Sequence, residues 1–325
     1  MTAADPTPTL TLSIAAVERD TGLTKDTLRA WERRYGFPAP CRDAVGERAY
    51  PLDQVERLRL IKRLLDAGHR PGRVVSMEAA TLRQLIDSTP AEREPPVERA
   101  LDDDGVLTYL ALIGLHDMVQ LRQSLARDLA RVGTVRFLTE VLVPLNAAVG
   151  EAWLRGQMQV FEEHAYTEAV QTLLHRTIAA TPPAPAGAQP RVLLATLPGE
   201  PHGLGLLMVE AVLALEGAAC VSLGVQTPVW DIVLAARAYR ADIVALSFTG
   251  CTGPNATVHA LTEMRAKLPP QASVWVGGGA PVLQRRRIAG VQPLGGIGRL
   301  QESLHAWRRD RARPDDRTLR TIGHS

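Results

Sequence analysis

The sequence predicts a multidomain α and α/β protein that combines a winged helix-turn-helix, a four-helix bundle and a Rossmann-like parallel sheet. Three observations predict this fold class. Two short helical patterns joined by a glycine-containing turn lie near the N-terminus, and leucine and alanine recur at helical spacing over residues 101–180. After residue 190, apolar strand patterns alternate with helix patterns, which is typical of a parallel sheet.

Proline-rich and polar stretches separate these patterns and set the expected domain boundaries. Residues 1–11 show no periodic pattern, and we expect a disordered tail there. The expected segments are 11–77 for the winged helix-turn-helix, 78–98 for a linker, 99–181 for the helical bundle, 182–190 for a second linker, 191–307 for the Rossmann-like domain and 308–325 for a charged tail.

The composition is that of an ordinary globular protein, with 325 residues, 46% hydrophobic residues, 22% charged residues and a net charge of +2. Its three cysteines, Cys41, Cys220 and Cys251, are scattered, which argues against a disulfide framework and against a cysteine zinc site. The sequence shows no signal peptide, and the long apolar stretch at 203–223 is interrupted by Glu210 and Glu216. We therefore expect a cytoplasmic protein without a membrane partner.

The first segment carries a helix-turn-helix pattern with a basic second helix. Ser13 begins the first helical pattern, and Thr24 can cap the second. A small β-wing is expected over 38–50, before a third helix that opens near Asp53. Residues 1–75 contain 13 Lys and Arg against 10 Asp and Glu. This excess fits phosphate contacts, but charge alone equally describes a solvated helix face, which is the commoner case.

The residue sequence of this segment is a more specific signal than its charge. The runs Thr21–Thr24, Thr27–Gly36 and Gly46–Tyr50, followed by Asp53–Leu58, closely resemble the MerR-family DNA-binding domain. The resemblance implies a dimer that binds operator DNA, with the second helix in the major groove and the wing at the backbone. The implied contact residues are Thr24, Lys25, Arg29, Arg34, Arg42, Arg48 and Tyr50.

A histidine on a strand-to-helix loop organises the last segment. His202 lies among glycines in the stretch Gly199–Gly205, after the expected strand 191–197. Further strands are expected at 219–223, 242–247 and 273–277. Open α/β sheets bind ligands at such loops, and an imidazole whose second nitrogen is held by a carboxylate, here Glu200, is a competent metal ligand. From these residues alone, a polar loop that closes a Rossmann-like unit is an equally good interpretation.

The loops taken together resemble a known pattern. Glu200-x-His202-x-x-Gly205, Ser247-x-Thr249 and Gly277-Gly278 are similar to the cobalamin-binding pattern of base-off, His-on B12 domains, as is Leu-Gly-x-x-x-Pro at 223–228. The resemblance implies that His202 replaces dimethylbenzimidazole as the lower cobalt ligand and that Glu200 orients it. Gly205 would leave room for the displaced nucleotide tail, and the slot for that tail would be lined by Ser247, Thr249, Gly277 and Gly278.

The helical segment contains Trp153, followed ten and eleven residues later by Glu163 and His164. Spacing alone favours a core tryptophan and surface charges. The set nevertheless matches the W-x9-E-H of the CarH/LitR type of adenosylcobalamin photoreceptor regulators, and the domain order matches as well. The resemblance implies that Trp153 shields the adenosyl group and that Glu163 and His164 contact it.

One position departs from that family's pattern. Light-sensing members carry a histidine after the tryptophan that can take the cobalt after photolysis, and this chain has Leu154 there. Met158 or His164 could substitute, or water could be the ligand in the lit state.

The function expected from these features is that of a cobalamin-dependent transcriptional regulator, a light-responsive repressor with adenosylcobalamin as chromophore. We expect no enzymatic activity and no catalytic residues, and a homodimer or homotetramer on operator DNA. The alternatives are a light-independent cobalamin sensor, a MerR-like regulator whose Rossmann domain has lost the cofactor, and a corrinoid methyl carrier, against which the DNA-binding segment argues.

Overall fold

The computed structural model describes residues 11–43, 46–66, 69–88 and 103–312. The chain divides into two compact units, one formed by Met1–Pro96 with Val149–Val160 and the other by Val97–Ala148 with Phe161–Ser325. Residues 1–10 of the expected tail lie outside the described residues, and Thr11 begins a strand.

Among the described residues up to Ser88, the first unit contains a small antiparallel sheet, in the order β1-β3-β2, and five helices. The strands are β1 (Thr11–Ser13), β2 (Cys41–Arg42) and β3 (Arg48–Pro51), and the helices are α1 (Ile14–Thr21), α2 (Lys25–Tyr35), α3 (Leu52–Asp66), α4 (Pro71–Val74) and α5 (Ala79–Ser88).

Side-chain caps fix the starts of α1 and α2. The Ser13 hydroxyl accepts a hydrogen bond from the Ala16 N–H, and the Thr24 hydroxyl accepts one from the Thr27 N–H at 3.2 Å. Such caps satisfy backbone donors that have no partner inside the helix. The expected helix-turn-helix is therefore present. β2 and β3 form the expected wing, of which residues 44 and 45 lie outside the described part of the chain.

Helix α5 lies where the sequence analysis placed the beginning of a linker at residue 78. Leu82 is fully buried and Ile86 nearly so, and both pack into the core of the first unit with Leu58 and Ile61 of α3. The polar residues of this stretch concealed the helical spacing of its two core side chains. The first domain thus extends to Ser88, and residues 89–98 of the expected linker lie outside the described residues.

The helical part has the four helices that the leucine and alanine spacing predicts, and the third is interrupted by a π-helical turn. The bounds are α6 (Asp103–Gly114), α7 (Met118–Val132), α8 (Thr134–Arg136), the π-helix Phe137–Leu142, α9 (Val143–Leu154) and α10 (Val160–Ala180).

The stretch Thr134–Leu154 is long and apolar enough to cross a membrane by length and composition. Phe137, Leu138 and Val141 are fully buried inside the protein, although only 33% of the apolar stretch is buried. The stretch is therefore weak evidence for a membrane span.

A five-stranded parallel sheet in the order β5-β4-β6-β7-β8 forms the last part of the chain. Its strands are β4 (Arg191–Ala195), β5 (Ala219–Ser222), β6 (Ile243–Ser247), β7 (Ser273–Gly277) and β8 (Val291–Pro293), and its helices are α11 (Leu204–Leu215), α12 (Val229–Ala238), α13 (Pro254–Lys267), α14 (Val282–Arg285), a 3₁₀ turn (Ile297–Arg299) and α15 (Leu300–Ala312).

The strand order reverses direction next to β4. The chain passes from β4 to β5 on one side and then crosses to β6 on the other, so β4 and β6 border a topological switch point. Loops that leave neighbouring strands at such a point diverge and leave a crevice between them. The fold therefore brings the loop after β4 and the loop after β6 together.

Helix α15 begins inside the Rossmann-like domain and continues into the stretch assigned to a charged tail from residue 308. Arg308 donates a hydrogen bond to the Glu216 carbonyl at 2.7 Å, and Arg311 donates one to the Gln271 carbonyl at 2.8 Å. These arginines bind backbone oxygens of the domain, so residues 308–312 belong to it. Residues 313–325 lie outside the described residues.

The helical part and the sheet belong to the same compact unit. The Tyr166 hydroxyl donates to the Asn146 amide oxygen at 2.6 Å, and the Asn146 amide donates to the Met208 sulfur of α11 at 3.7 Å. These bonds connect the bundle to the helix that follows the His202 loop.

Candidate functional site

Four side chains meet at the switch point, and we call them the His202 cluster: Glu200, His202, Thr249 and Cys251. The first two lie on the loop between β4 and α11, and the other two follow β6. The sequence analysis selected three of these four residues as cofactor-binding, and the structure brings all three together.

Glu200 is the buried anchor of the cluster. Its side chain is 0% exposed, and its Oε2 accepts a hydrogen bond from the Thr249 backbone N–H at 2.7 Å. The Thr249 hydroxyl lies 2.9 Å from both carboxylate oxygens. Burial opposes ionisation, but these bonds and His202 together lower the pKa of the Glu200 carboxyl group. A buried carboxylate with this many donors has a single orientation.

His202 is oriented by that carboxylate. Its Nδ1 lies 2.7 Å from Glu200 Oε1, and 51% of its side chain is exposed. The nearby Cys251 sulfur and then Glu200 raise the pKa of the ring to about 10. Nε2 has no hydrogen-bond partner in the part of the chain that the structure describes. When Nδ1 donates to Glu200 and Nε2 gives up its proton, Nε2 is the nitrogen available to a metal ion.

Two glycines allow close approaches of the chain beside the His202 cluster. A Cβ atom on Gly205 would lie 2.5 Å from the Ser247 hydroxyl oxygen, and one on Gly278, whose φ is +101°, would overlap the Phe248 carbonyl. Glycine at these positions lets the start of α11 approach the end of β6, and the turn after β7 approach Phe248. Gly277 differs, because a Cβ there would make only an ordinary contact at 4.0 Å.

Thr196 connects two loops of the site, and sequence reasoning missed it. Its buried hydroxyl donates to the Glu200 carbonyl at 2.6 Å and accepts from the Gln226 N–H at 2.8 Å. The loop over 223–228 is held against β4 in this way. A hydroxyl residue directly after the apolar run of β4 was the signal that could have identified it.

Cys251 was also missed, because the sequence analysis considered the cysteines only in relation to one another. Its sulfur lies 3.7 Å from His202 Nδ1 and accepts a hydrogen bond from the Thr249 hydroxyl at 3.3 Å. Its position two residues after Thr249, in a loop already assigned to the site, was the available signal.

The residues expected to face the upper side of a cofactor are distributed over both units. Glu163 accepts a hydrogen bond from the Thr167 hydroxyl at 2.7 Å, and the His164 side chain is 70% exposed. Trp153 belongs to the first unit, where the Arg63 guanidinium lies 4.8 Å from its ring centroid. The structure therefore gives no single arrangement of Trp153, Glu163 and His164.

Most of the expected DNA-contacting residues lie at the surface of the first unit. Lys25 and Arg29 on α2 are about half exposed and lie 3.5 Å and 3.7 Å from the acidic groups of Glu18 and Asp26. Arg34 lies over the Tyr35 ring. In the wing, Arg42 donates to the Gly46 carbonyl at 2.6 Å.

Thr24 is the N-terminal cap of α2, and the remaining wing residues are more constrained. Arg48 donates to the Glu32 carboxylate at 3.0 Å. Tyr50 is fully buried in the core of the first unit, because it points inward from β3. In this conformation the Tyr50 side chain packs in the core, and its assignment as a DNA contact stays a prediction.

Comparisons with known proteins agree with this arrangement. A family model described as MerR HTH family regulatory protein matches residues 12–81. Two models, both described as B12 binding domain, match residues 190–298 and 109–176.

Among solved structures, the monomethylamine corrinoid protein of Methanosarcina barkeri covers 63% of this chain and 100% of its own, with a TM-score of 0.51 and 14% identity. This likeness supports the fold of the helical and Rossmann-like parts alone.

Two curated relatives cover most of the chain. The HTH-type transcriptional repressor CarH of Myxococcus xanthus is 33% identical over 268 residues, which are 80% of this chain and 86% of the relative. The HTH-type transcriptional repressor CarA of the same organism is 30% identical, over 80% of this chain and 84% of its own length. The chain therefore belongs to the CarH-like family of regulators, in which a MerR-type helix-turn-helix is joined to B12-binding domains.

Proposed function

We propose that this protein is a transcriptional repressor that binds operator DNA through its first domain and uses cobalamin as its sensory cofactor. The observation that carries the proposal is the His202 cluster, in which a buried carboxylate orients Nδ1 and leaves Nε2 free at a topological switch point. This donor set fits a base-off, His-on cobalamin.

The chain's own residues supply the rest of the binding site in this proposal. His202 would be the lower cobalt ligand, and Glu200 would fix its orientation. Gly205 avoids a clash with the Ser247 hydroxyl, and Gly278 allows a close turn. The displaced nucleotide tail would lie along Ser247, Thr249, Gly277 and Gly278. Bound cobalamin would supply a cobalt–carbon bond that light can break.

We further propose that adenosylcobalamin is the bound form of the cofactor and that light is the signal. Trp153, Glu163 and His164 would contact the adenosyl group, as the family resemblance implies. Leu154 offers cobalt no donor atom, and Met158 is buried in the first unit. The exposed His164 is therefore the side chain that we propose as a replacement ligand after photolysis.

Regulation would act through assembly. In the dark the cofactor-bound chain would form a homodimer or homotetramer in the cytoplasm, and two or more DNA-binding domains would engage the operator together. Loss of the adenosyl group would dissociate this assembly. The avidity for DNA would then be lost. The protein would carry out no enzymatic reaction.

The test combines spectroscopy, size and DNA binding on the full chain. Purified protein is mixed with adenosylcobalamin in the dark, and the absorption spectrum, the size-exclusion profile and the operator affinity are recorded before and after green light. The proposal predicts a retained cofactor, a larger species in the dark, and light-dependent loss of both size and affinity.

Matched variants assign the result to the site. His202→Ala should abolish retention of the cofactor, whereas His259→Ala, at an exposed histidine of the same unit, should not. Retention by His202→Ala would contradict the ligand role. A bound cofactor that bleaches without a change of size would contradict light control and leave a light-independent cobalamin sensor. Transfer of a methyl group from bound methylcobalamin to a thiol would favour a methyl carrier.

A further inference from the structure

The His202 cluster contains more ligand atoms than a lower cobalt ligand requires. Glu200, His202 and Cys251 each offer one metal-binding atom, and these atoms all lie within 4.8 Å of one another. Glu200 is fully buried, so it differs from the exposed carboxylates that commonly lie near other polar groups. A carboxylate, an imidazole and a thiol form a donor set suited to zinc and similar divalent ions.

One donor–donor distance in the cluster matches a tetrahedral site. Zinc binds sulfur at about 2.3 Å and imidazole nitrogen at about 2.0–2.1 Å, so tetrahedral geometry places the two donors about 3.6 Å apart. Cys251 Sγ and His202 Nδ1 are 3.7 Å apart. The Glu200–His202 pair, at 2.7 Å, is closer than two ligands of one ion and would separate when the hydrogen bond between them is replaced.

Thr249 occupies the remaining corner of the cluster. Its hydroxyl oxygen lies 2.9 Å from Glu200 Oε1, 3.1 Å from His202 Nδ1 and 3.3 Å from Cys251 Sγ. One hydroxyl has a single proton, so it cannot donate to the Glu200 carboxylate and to the Cys251 sulfur at once. A cation among these atoms would satisfy the carboxylate, the imidazole and the thiolate together, with the hydroxyl or a water molecule as the fourth ligand.

We propose that the cofactor-free protein binds one zinc-like divalent ion through Glu200, His202 Nδ1 and Cys251, and that this ion excludes cobalamin. The thiol gives its proton to solvent on binding, and the sulfur coordinates as thiolate. The exclusion, which rests on the proposed function, follows from the tautomer of His202. A metal ion on Nδ1 leaves the ring proton on Nε2, which then has no lone pair for cobalt.

The test uses the full chain without cofactor, with Zn²⁺ for affinity and aqueous Co²⁺ as a spectroscopic probe. Wild type should bind one ion per chain, and Co²⁺ should produce the intense near-ultraviolet charge-transfer band of a cobalt–thiolate bond. Cys251→Ser should remove the band and weaken Zn²⁺ binding by about tenfold or more, because loss of even an indirect partner of a ligand costs about 10–100-fold.

Two further variants control the result. Cys220→Ser changes a cysteine elsewhere in the same domain and should leave the band intact, and Cys251→Ala should behave as Cys251→Ser does. Absence of the band from wild type, or its persistence in both Cys251 variants, would overturn the metal site.

Competition between Zn²⁺ and cobalamin tests separately whether the bound ion excludes the cofactor. Zn²⁺ at a concentration that loads wild type but not Cys251→Ser should reduce the cobalamin retained by wild type, whereas Cys251→Ser should retain equal amounts of cobalamin with and without Zn²⁺. Equal retention by wild type in both conditions would overturn the exclusion. If wild type binds Zn²⁺ but never retains cobalamin, the metal site is supported and the proposed function fails, so the two failures are distinguishable.

Discussion

The His202 cluster and the W-x9-E-H set, which consists of Trp153, Glu163 and His164, were both selected from short motifs in the sequence, and they differ in the structure. The cluster is assembled, with a buried carboxylate and several hydrogen bonds between two loops of one sheet. Trp153 instead contacts Arg63 of the first unit. A motif whose residues follow adjacent strands is organised by the sheet itself, whereas a motif spread over two units depends on how the chain is assembled and what it binds.

The largest expected difference between the two regions is the loss of stability when a carboxylate is removed from each. Glu200→Ala should destabilise the protein by about 3 kcal/mol, because it removes the hydrogen bonds that the buried carboxylate accepts from Thr249 and its contact with His202. It should also weaken cobalamin retention by about 10–100-fold, because the orientation of His202 is lost. Denaturant unfolding and absorption spectra measure both effects.

The matched change in the other region is Glu163→Ala. Glu163 is partly exposed and accepts one hydrogen bond from Thr167, so the free energy of unfolding should change by about 0.5 kcal/mol or less. Equal destabilisation by both variants would contradict the view that only the His202 cluster is preassembled.

The close approach at Gly205 provides the next test. Gly205→Ala should cost about 1–3 kcal/mol, because the new methyl group overlaps the Ser247 hydroxyl. The double variant Gly205→Ala/Ser247→Ala should recover most of that loss, since the overlapping oxygen is gone. Gly279→Ala, where a Cβ meets nothing within 4 Å, serves as the control in the same unfolding assay. Failure of Ser247→Ala to rescue would show that the cost has another source.

A smaller effect is expected at Trp153. Arg63 is 6% exposed, its Nε has no hydrogen-bond partner among the described residues, and its guanidinium lies 4.8 Å from the Trp153 ring centroid. A double-mutant cycle of Arg63→Ala and Trp153→Leu in the cofactor-free protein should give a coupling of about 0.5–2 kcal/mol.

The same cycle in the cobalamin-bound protein sharpens the comparison. If Trp153 turns to the cofactor, the coupling with Arg63 should fall to zero. An unchanged coupling in the loaded protein would contradict the proposed role of Trp153 over the adenosyl group.

The smallest effect concerns the far end of α11, the helix that begins beside the His202 cluster. Hydrogen bonds from Gln301 and His305, with Arg308 nearby, lower the pKa of the Glu216 carboxyl group. A carboxyl group with a lowered folded-state pKa stabilises the protein above its unfolded-state pKa, and this contribution is lost as the pH falls through the folded value. The contribution should be about 1 kcal/mol or less, as for other partly exposed ion pairs.

Denaturant unfolding of wild type and of Glu216→Gln across the acidic pH range measures the contribution of the Glu216 carboxylate to stability. The stability difference between the two proteins should shrink as the pH falls, while cobalamin retention at neutral pH stays the same. Loss of retention in Glu216→Gln would show that the site depends on the far end of α11.

An element could be predicted from the sequence only where its apolar residues recur at a regular spacing. Regular apolar spacing predicted the four helices of the bundle and four strands of the sheet, because burial of one face imposes that spacing. β8 was missed because it has three residues and ends in a proline, and α5 was missed because its polar positions outnumber its two core residues.

Within the site, Glu200, His202 and Thr249 were predictable from their positions after two strands. Thr196 and Cys251 were not, since their roles depend on distances between loops that no local pattern encodes. Tyr50 was assigned to DNA from its motif, although the strand turns it into the core.

The measurement that tests the central claim most directly is electron paramagnetic resonance of the cob(II)alamin-loaded protein, prepared with ordinary histidine and with histidine enriched in the heavy nitrogen isotope. The account predicts superhyperfine splitting by one nitrogen, a pattern that changes with the isotope. A splitting that is the same in both preparations would mean that dimethylbenzimidazole still holds the cobalt, and it would contradict the assignment of His202 as the lower ligand.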